Sequence, residues 1–204
     1  MFKNFIFDFG QVIVKFEPEY MTSAYVKNAE DVKLVKDIVF DRLYWDKLDA
    51  GIITDEEVKK GIRSRLPESL RDLACTVYDN WYYNLPIINE TVELIKKIKE
   101  KGGKLFLISN ISEGFATNYK KIPKIKEIFD LFDGLVFSGP IKLAKPNKEI
   151  FNYALKKFNI KAEESIFFDD NKDNIAGADS VGIKGFSFDF NSIAEVEKLV
   201  DESL

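Results

Sequence analysis

Short apolar runs alternate with amphipathic stretches along most of this chain. Five runs are rich in Phe, Ile and Leu and are bounded by Gly, Ser or Asp: residues 5–7, 105–108, 135–137, 166–168 and 186–188. Their length and their aromatic and β-branched content predict buried strands.

The amphipathic stretches predict helices between these strands. Asn89 is a candidate N-cap for a helix that Gly102 and Gly103 end. Pro146 is expected at the first position of another helix, whose apolar residues recur along one face. Strands that alternate with helices predict an α/β fold with a Rossmann-like parallel sheet covered on both faces.

One connection is too long for a single crossover helix. About 95 residues separate Asp8 from Lys104, whereas a strand–helix–strand unit needs roughly 30. Helix starts occur within it at Pro18-Glu19, Thr54 to Glu57 (a capping box) and Pro67-Glu68. We therefore expect a Rossmann-like core of residues 1–15 and 86–204, with an inserted α-helical cap domain of residues 16–85 that could act as a lid.

Side chains suited to phosphate chemistry follow three of the predicted strands. Asp8 follows the first strand, Ser109 the second, and Asp169-Asp170 the fourth, while Lys145 lies between the last two groups. Ligands of parallel sheets bind outside the carboxyl ends of the strands, where these groups would meet. A carboxylate, a hydroxyl, a cation and an acidic pair predict a metal-assisted phosphotransfer site.

Composition narrows the chemistry and the partners. The chain has no histidine and one cysteine, which excludes histidine general bases, serine–histidine triads and zinc sites of histidine or cysteine. Thirty-four acidic and 30 basic residues give a net charge of -4, so we expect no nucleic-acid partner. No apolar run approaches the ~20 residues that span a bilayer, and one thiol forbids an internal disulfide. We expect a cytoplasmic protein without a membrane partner.

Four motifs together resemble those of the haloacid dehalogenase superfamily. They are FDFGQV at residues 7–12, SN at 109–110, KP at 145–146 and FDDN at 168–171. The likeness is strongest to the sugar-phosphate phosphatase branch, including the alpha-glucose-1-phosphate phosphatase group, which WDKLDAG at residues 45–51 also resembles. The resemblance implies a helical cap, a small phosphorylated metabolite as substrate and Mg²⁺ as cofactor. We expect a monomer or a weak homodimer.

The resemblance implies that Asp8 is the nucleophile and forms an aspartyl-phosphate. Mg²⁺ prefers hard oxygen ligands, which Asp8, the Gly10 carbonyl and Asp170 offer. Asp169 would bind the metal or orient its ligands. Each acid has a structural alternative, since an aspartate after a strand is often a helix cap or part of a turn.

The remaining expected contacts are to substrate. Lys145 would offset the charge of the phosphoryl group, and Ser109 with backbone N–H groups near Gln11 would hold its oxygens. The resemblance alone implies that Asn110 contacts substrate. Trp45 is a candidate pocket residue, although aromatic residues of helices belong more often to the core. Lys145 could equally be a solvated loop charge, and Ser109 a helix cap.

Further polar residues have weaker alternatives of the same kind. Arg42 could hold a sugar or phosphate oxygen, or simply lie at the surface. Asp173 and Asn174 could support the metal ligands or only cap the next helix.

Gly10 departs from the usual pattern of the superfamily, whose phosphatases mostly carry a second Asp there to protonate the leaving group. Three outcomes follow: the substrates need little protonation, another acid such as Glu17 or Asp46 replaces it, or the protein binds without turnover. The sugar-phosphate phosphatase branch that this chain resembles shares this glycine. The resemblance therefore favours the first outcome, with substrates such as anomeric sugar, aryl or acyl phosphates.

Three other functions can be weighed against a phosphatase. A haloacid dehalogenase would use the Asp8 nucleophile without metal, and the pair Asp169-Asp170 argues against it. A receiver-type phosphoacceptor domain carries its acidic pair after the first strand and lacks a long helical insertion. A catalytically weak or dead phosphometabolite-binding protein is the alternative outside the enzymes, motivated by Gly10.

Overall fold

The computed structural model describes residues 1–189 and 191–204, and within them five strands form one parallel sheet. The strands are β1 (Asn4–Phe7), β2 (Lys104–Ser109), β3 (Gly134–Phe137), β4 (Ser165–Asp169) and β5 (Lys184–Ser187). Their order is β3-β2-β1-β4-β5, so β1 lies at the centre between β2 and β4. The predicted parallel α/β sheet is therefore confirmed.

Twelve α-helices surround this sheet in the same described residues. They are α1 (Pro18–Ser23), α2 (Ala29–Val39), α3 (Arg42–Asp49), α4 (Asp55–Arg65), α5 (Glu68–Asn80), α6 (Asn89–Glu100), α7 (Glu113–Asn118), α8 (Pro123–Phe129), α9 (Ser138–Ile141), α10 (Lys148–Phe158), α11 (Lys172–Asp179) and α12 (Ile193–Ser203). Five of them, α1 to α5, lie in the long connection after β1 and are called the inserted helices below. Across the described chain, no helix is long and apolar enough to cross a membrane.

Local sequence rules predicted some helix starts correctly and others not. The capping box of Thr54 and Glu57 begins α4 as predicted. Asn89 is the first residue of α6 and not its N-cap. Pro146 does not begin α10, because the Asn147 N–H closes a turn onto the Ala144 carbonyl (3.1 Å) and the helix starts at Lys148.

The sheet has a hydrophobic layer on each face, because alternate residues of a strand point to opposite sides. Phe5 and Phe7 belong to the larger cluster and Ile6 to the smaller one, and all three are fully buried. The Phe7 ring packs on Phe168 of β4 with centroids 4.8 Å apart. Burial on both faces explains why these strands read as continuous apolar runs. β5 begins two residues before its predicted start, since its first residues are Lys184 and Gly185.

The end of α3 rests on α9, which follows β3. The Ser138 hydroxyl donates a hydrogen bond to the Asp49 carbonyl (2.5 Å). Gly51 has a φ of +66°, and a Cβ there would lie 2.5 Å from the Gly139 carbonyl oxygen. Only glycine adopts this backbone conformation and close approach without strain. This contact fixes the end of α3 beside the carboxyl edge of the sheet.

Candidate active site

The central strands bring the first predicted acids together. Phe7 and Phe168 are paired in register, so Asp8 and Asp169 leave neighbouring strands side by side. The Asp8 N–H continues the ladder by donating to the Phe168 carbonyl (2.9 Å). Ser109 ends β2 on the other side of β1.

Lys145 reaches this edge from the loop before α10 and bridges both acids. Its Nζ lies 2.7 Å from Asp8 Oδ1 and 2.7 Å from Asp169 Oδ2, and its side chain is only 1% exposed. Burial lowers the pKa of Lys145, but the two carboxylates outweigh burial and the pKa is raised above its ordinary value. Lys145 is therefore a buried ammonium with two anionic partners.

Asp169 is fully buried and both of its oxygens accept hydrogen bonds. Oδ1 accepts from the Asn171 N–H (2.8 Å) and from Asn174 Nδ2 (3.1 Å). Oδ2 accepts from Lys145 Nζ (2.7 Å) and from Asn174 Nδ2 (3.0 Å). Asn174, predicted as possible support for the metal ligands, thus orients the Asp169 carboxylate.

Asp8, Asp169 and Asp170 can each offer a carboxylate oxygen within 4.8 Å of the others. Burial raises the pKa of Asp8 to about 7, although the Lys145 charge opposes this effect. Burial and the charge of Asp169 also raise the pKa of Asp170. A cluster of carboxylates whose ionisation is disfavoured, built only from hard oxygen atoms, fits a divalent cation such as Mg²⁺.

A cavity of about 590 Å³ opens onto this cluster. Residues from the sheet edge line one part of it: Asp8, Gly10, Ser109, Asn110, Lys145 and Asp170. The inserted helices and the turn after them line another part with Phe40, Arg42, Trp45, Asp46, Asp49 and Trp81. The cavity therefore combines a charged site with a partly aromatic wall.

Of the two residues predicted near the phosphoryl oxygens, Ser109 lies at the cavity and Gln11 does not. Ser109 is 1% exposed and lines the cavity, and no described residue hydrogen-bonds to its hydroxyl. Gln11 is exposed and is not among the described residues that line the cavity. Its N–H donates to the Val14 carbonyl (2.7 Å), and its Oε1 accepts from the Phe16 N–H (3.3 Å). The structure does not bring Gln11 to the site.

Asn110 and Trp45 both line the cavity but use their polar atoms elsewhere. Asn110 Nδ2 donates to the Lys145 carbonyl (2.9 Å), and its Oδ1 accepts from the Lys145 N–H (2.8 Å). Trp45 is 9% exposed, and its Nε1 donates to the Val39 carbonyl (2.7 Å). Its ring also stacks on Phe40, with centroids 5.6 Å apart. Trp45 is thus mainly a packing residue that also lines part of the cavity wall.

The two predicted replacement acids are poorly placed. Asp46 lines the cavity, but its side chain is 60% exposed and lies 2.8 Å from the guanidinium of Arg42, which is itself 83% exposed. Glu17 is the N-cap of α1 and lines a separate surface depression. Asp173 lies at the cavity and its N–H donates to Asn171 Oδ1 (2.8 Å), within the first turn of α11.

One charged residue of the described cavity wall was missed by reasoning from the sequence. Asp49 lines the cavity at the end of α3, and its Oδ1 is buried without a hydrogen-bond donor from any described residue. Burial raises its pKa to about 7. The only signal in the sequence was its position within the WDKLDAG pattern, because burial of the side chain depends on tertiary packing.

Comparison with known proteins extends over nearly the whole chain. The family model of the haloacid dehalogenase-like hydrolases matches residues 2–182 of this sequence. A sesquiterpene phosphatase of Aspergillus oryzae is 25% identical over 184 residues, covering 90% of this chain and 88% of that protein. A D-ribitol-5-phosphate phosphatase of Bacteroides thetaiotaomicron is 25% identical over 195 residues, covering 91% of each.

A solved structure shares the fold. It is that of a HAD family enzyme from Bacteroides thetaiotaomicron in complex with magnesium and inorganic phosphate. The TM-score is 0.67 at 23% sequence identity, and the match covers 92% of this chain and 94% of the other.

Proposed function

This chain belongs to the haloacid dehalogenase-like hydrolase family, and on that basis we propose that it is a Mg²⁺-dependent phosphatase of small phosphomonoesters. It is a hydrolase that acts on phosphorylated substrates, and the proposal adds the cofactor, the intermediate and the substrate class. The observation that carries it is the placement of Asp8 beside the buried ammonium of Lys145 and within reach of Asp169 and Asp170.

Asp8 is the proposed nucleophile. One of its oxygens attacks phosphorus, the bond to the leaving oxygen breaks, and an aspartyl-phosphate forms that water then hydrolyses. Attack by a carboxylate on an anionic ester is opposed by charge repulsion. Lys145 reduces this repulsion, and its burial makes the interaction stronger than it would be in water.

Asp8 and Asp170 would hold Mg²⁺ together with the Gly10 carbonyl, and the bound ion would supply positive charge next to the phosphoryl oxygens. Asp169 would act differently from these ligands. Both of its oxygens already accept hydrogen bonds from Lys145, Asn171 or Asn174, so we assign it to positioning of Lys145 and of the neighbouring ligands.

The Ser109 hydroxyl is the proposed donor to a transferring phosphoryl oxygen. It is buried, lines the same cavity as Asp8, and forms no hydrogen bond with any described protein group. Asn110 acts on substrate through Lys145, whose backbone it holds. Gln11 is left out of the proposed phosphate site.

Sugar phosphates are the proposed substrate class, with anomeric phosphates favoured. Gly10 offers no proton donor, and an anomeric alcohol, as a better leaving group than an ordinary alcohol, makes the smallest demand on a donor elsewhere in the cavity. The D-ribitol-5-phosphate phosphatase among the relatives supports a polyol or sugar moiety. The proposed cap, residues 16–85, would supply the wall that selects it.

Phosphate esters of apolar alcohols are the second candidate class. Phe40, Trp45 and Trp81 form an aromatic part of the cavity wall. A sesquiterpene phosphatase is among the relatives that match almost the full chain. These two observations justify testing prenyl phosphates beside sugar phosphates.

The test is phosphate release from sugar 1-phosphates, sugar 6-phosphates, aryl phosphates and prenyl phosphates, with and without Mg²⁺. We expect release that chelation abolishes and that Asp8→Asn lowers by about 10³-fold or more. Asp37→Asn, an exposed change far along α2, is the matched control and should keep activity.

Other results would point to the alternatives. Binding of esters without release would favour a catalytically dead binding protein. Metal-independent release of halide from a 2-haloacid by Asp8 would favour a dehalogenase, and either result would overturn the proposal.

A further inference from the structure

Asp49 carries a buried carboxylate oxygen that faces no hydrogen-bond donor in residues 1–189 and 191–204. Such an atom is costly, because burial removes its water without replacing the hydrogen bond. Asp49 lines the same cavity as Asp8, Ser109 and Lys145. An unpartnered polar atom at the wall of a charged cavity points to a ligand group that is bound there during function.

The backbone of Asp49 contacts α9, the helix that follows β3. Its carbonyl accepts from the Ser138 hydroxyl (2.5 Å), and the same hydroxyl accepts from the Ile111 N–H (2.8 Å). Gly51, two residues later, packs against Gly139. Ile111 follows Ser109 and Asn110 directly, so the segment that carries Ser109, the proposed donor to a phosphoryl oxygen, is linked through Ser138 to the Asp49 backbone.

The surroundings of Asp49 favour its protonated form. Burial is the main cause that raises its pKa to about 7, the charges of Asp46 and Asp8 raise it further, and Arg42 lowers it. Tyr78 of α5 is a further titratable neighbour, and its hydroxyl donates to Asp55 Oδ1 (2.8 Å). A carboxyl group that carries its proton near neutral pH can give that proton to a leaving group.

Position 10 leaves this role vacant. Gly10 lines the cavity, and a Cβ built on it would have no heavy atom within 4 Å. Gly10 has no side chain that could transfer a proton, although the space around it would accommodate a side chain. Asp46 is exposed and paired with Arg42, so Asp49 is the better placed carboxyl group.

We propose that Asp49 is the proton-transfer residue of this site, supplied by the inserted helices in place of a side chain at position 10. This assignment rests on the proposed phosphatase function. In the first step, Asp8 bonds to phosphorus, the bond between phosphorus and the ester oxygen breaks, and the Asp49 proton passes to that oxygen. In the second step, the oxygen of a water molecule bonds to phosphorus, Asp49 accepts a proton from that water, the bond between phosphorus and Asp8 breaks, and phosphate leaves.

The experiment compares Asp49→Asn with wild type on two substrates that differ in leaving group. Hexyl phosphate has a poor leaving group that needs a proton, whereas 4-nitrophenyl phosphate has a good one. We expect kcat for hexyl phosphate to fall by about 10²-fold or more, and kcat for 4-nitrophenyl phosphate to fall far less. Asp37→Asn, the same change at an exposed position on α2 outside the cavity wall, should keep the wild-type ratio of the two rates.

A second variant tests proton transfer independently of packing. In the Asp49→Asn background, Gly10→Asp places a carboxyl group in the open space beside Asp8 and should recover at least about 10-fold of the lost hexyl phosphate activity. A structural defect at Asp49 would not be repaired from position 10.

The outcomes separate the two proposals. Equal loss on both substrates in Asp49→Asn, or a changed ratio in Asp37→Asn, would overturn the assignment of Asp49 and leave the phosphatase intact. Absence of Asp8-dependent release from every ester by the wild type would overturn the phosphatase and, with it, the role of Asp49.

Discussion

Asn110 holds the backbone of Lys145 from both sides: its Nδ2 donates to the Lys145 carbonyl (2.9 Å) and its Oδ1 accepts from the Lys145 N–H (2.8 Å). Asn110 directly follows Ser109 at the end of β2. The amide side chain thus ties the loop of the buried cation to the sheet edge. Asn110 would therefore contribute to catalysis by positioning Lys145.

Replacing Asn110 with Ala should lower kcat by about 10–100-fold and change KM little. A displaced Lys145 would stabilise the transition state less, whereas substrate binding would change little. Steady-state kinetics on the best ester checks this expectation. Asn118→Ala on α7, outside the cavity wall, is the control. A rise in KM at constant kcat would instead support the direct substrate contact predicted from the sequence.

Mg²⁺ should raise the melting temperature of the wild type, because a ligand that binds only the folded state stabilises it. Asp170→Asn should lose most of this shift. Asp170 is exposed, so the substitution should leave the apo protein folded. Differential scanning fluorimetry over a range of Mg²⁺ concentrations measures the effect. An equal shift in both proteins would exclude Asp170 as a ligand.

Asp49→Asn should make the free energy of unfolding less dependent on pH. The pKa of Asp49 is raised from its ordinary value of 3.8 to about 7 in the folded protein. The folded state therefore holds this proton more tightly, and its contribution to stability falls as the pH rises from about 4 to about 7.

Between pH 5 and pH 8 we expect the wild type to lose about 1–3 kcal/mol more stability than Asp49→Asn. Asp8 contributes a fall of the same sign in both proteins, so their difference reports Asp49 together with its interaction with Asp8. Urea unfolding without Mg²⁺ at the two pH values measures it. Parallel pH dependence in the two proteins would contradict a raised pKa at Asp49.

Gly51→Ala should destabilise the protein more than Gly102→Ala. Both glycines have positive φ, +66° and +86°, so both substitutions carry the backbone penalty of about 1 kcal/mol or more. Only at Gly51 would the new Cβ meet a backbone atom, the Gly139 carbonyl oxygen at 2.5 Å, whereas the Gly102 position is open. Urea unfolding of the two variants should differ by about 1–3 kcal/mol, and equal losses would show that the α3–α9 contact yields easily.

The juxtaposition of Asp8, Ser109 and Asp169 could be predicted from the sequence because it follows from the parallel sheet alone. Apolar runs marked the strands, and the residue after each run had to lie at the carboxyl edge. The start of α4 was equally predictable, since the capping box of Thr54 and Glu57 is completed within one turn.

The remaining details depend on contacts between distant segments. Nothing local indicates that the Asn110 amide turns to the Lys145 backbone, 35 residues away. Likewise, nothing local indicates that Asp49 Oδ1 is buried or that the Asp49 carbonyl accepts from Ser138, 89 residues later in the chain. Gln11 was predicted near phosphate from its motif, but its own turn uses its N–H and its side chain.

The Lys145 ammonium contacts the carboxylates of both Asp8 and Asp169. With Asp170 beside them, three carboxyl groups face this ammonium, so the cavity edge has an excess of negative charge when no cation is bound. An ester dianion arriving first would be repelled. Turnover should therefore follow a compulsory order in which the cation binds first and leaves last, and inhibition by inorganic phosphate should deepen as free Mg²⁺ increases.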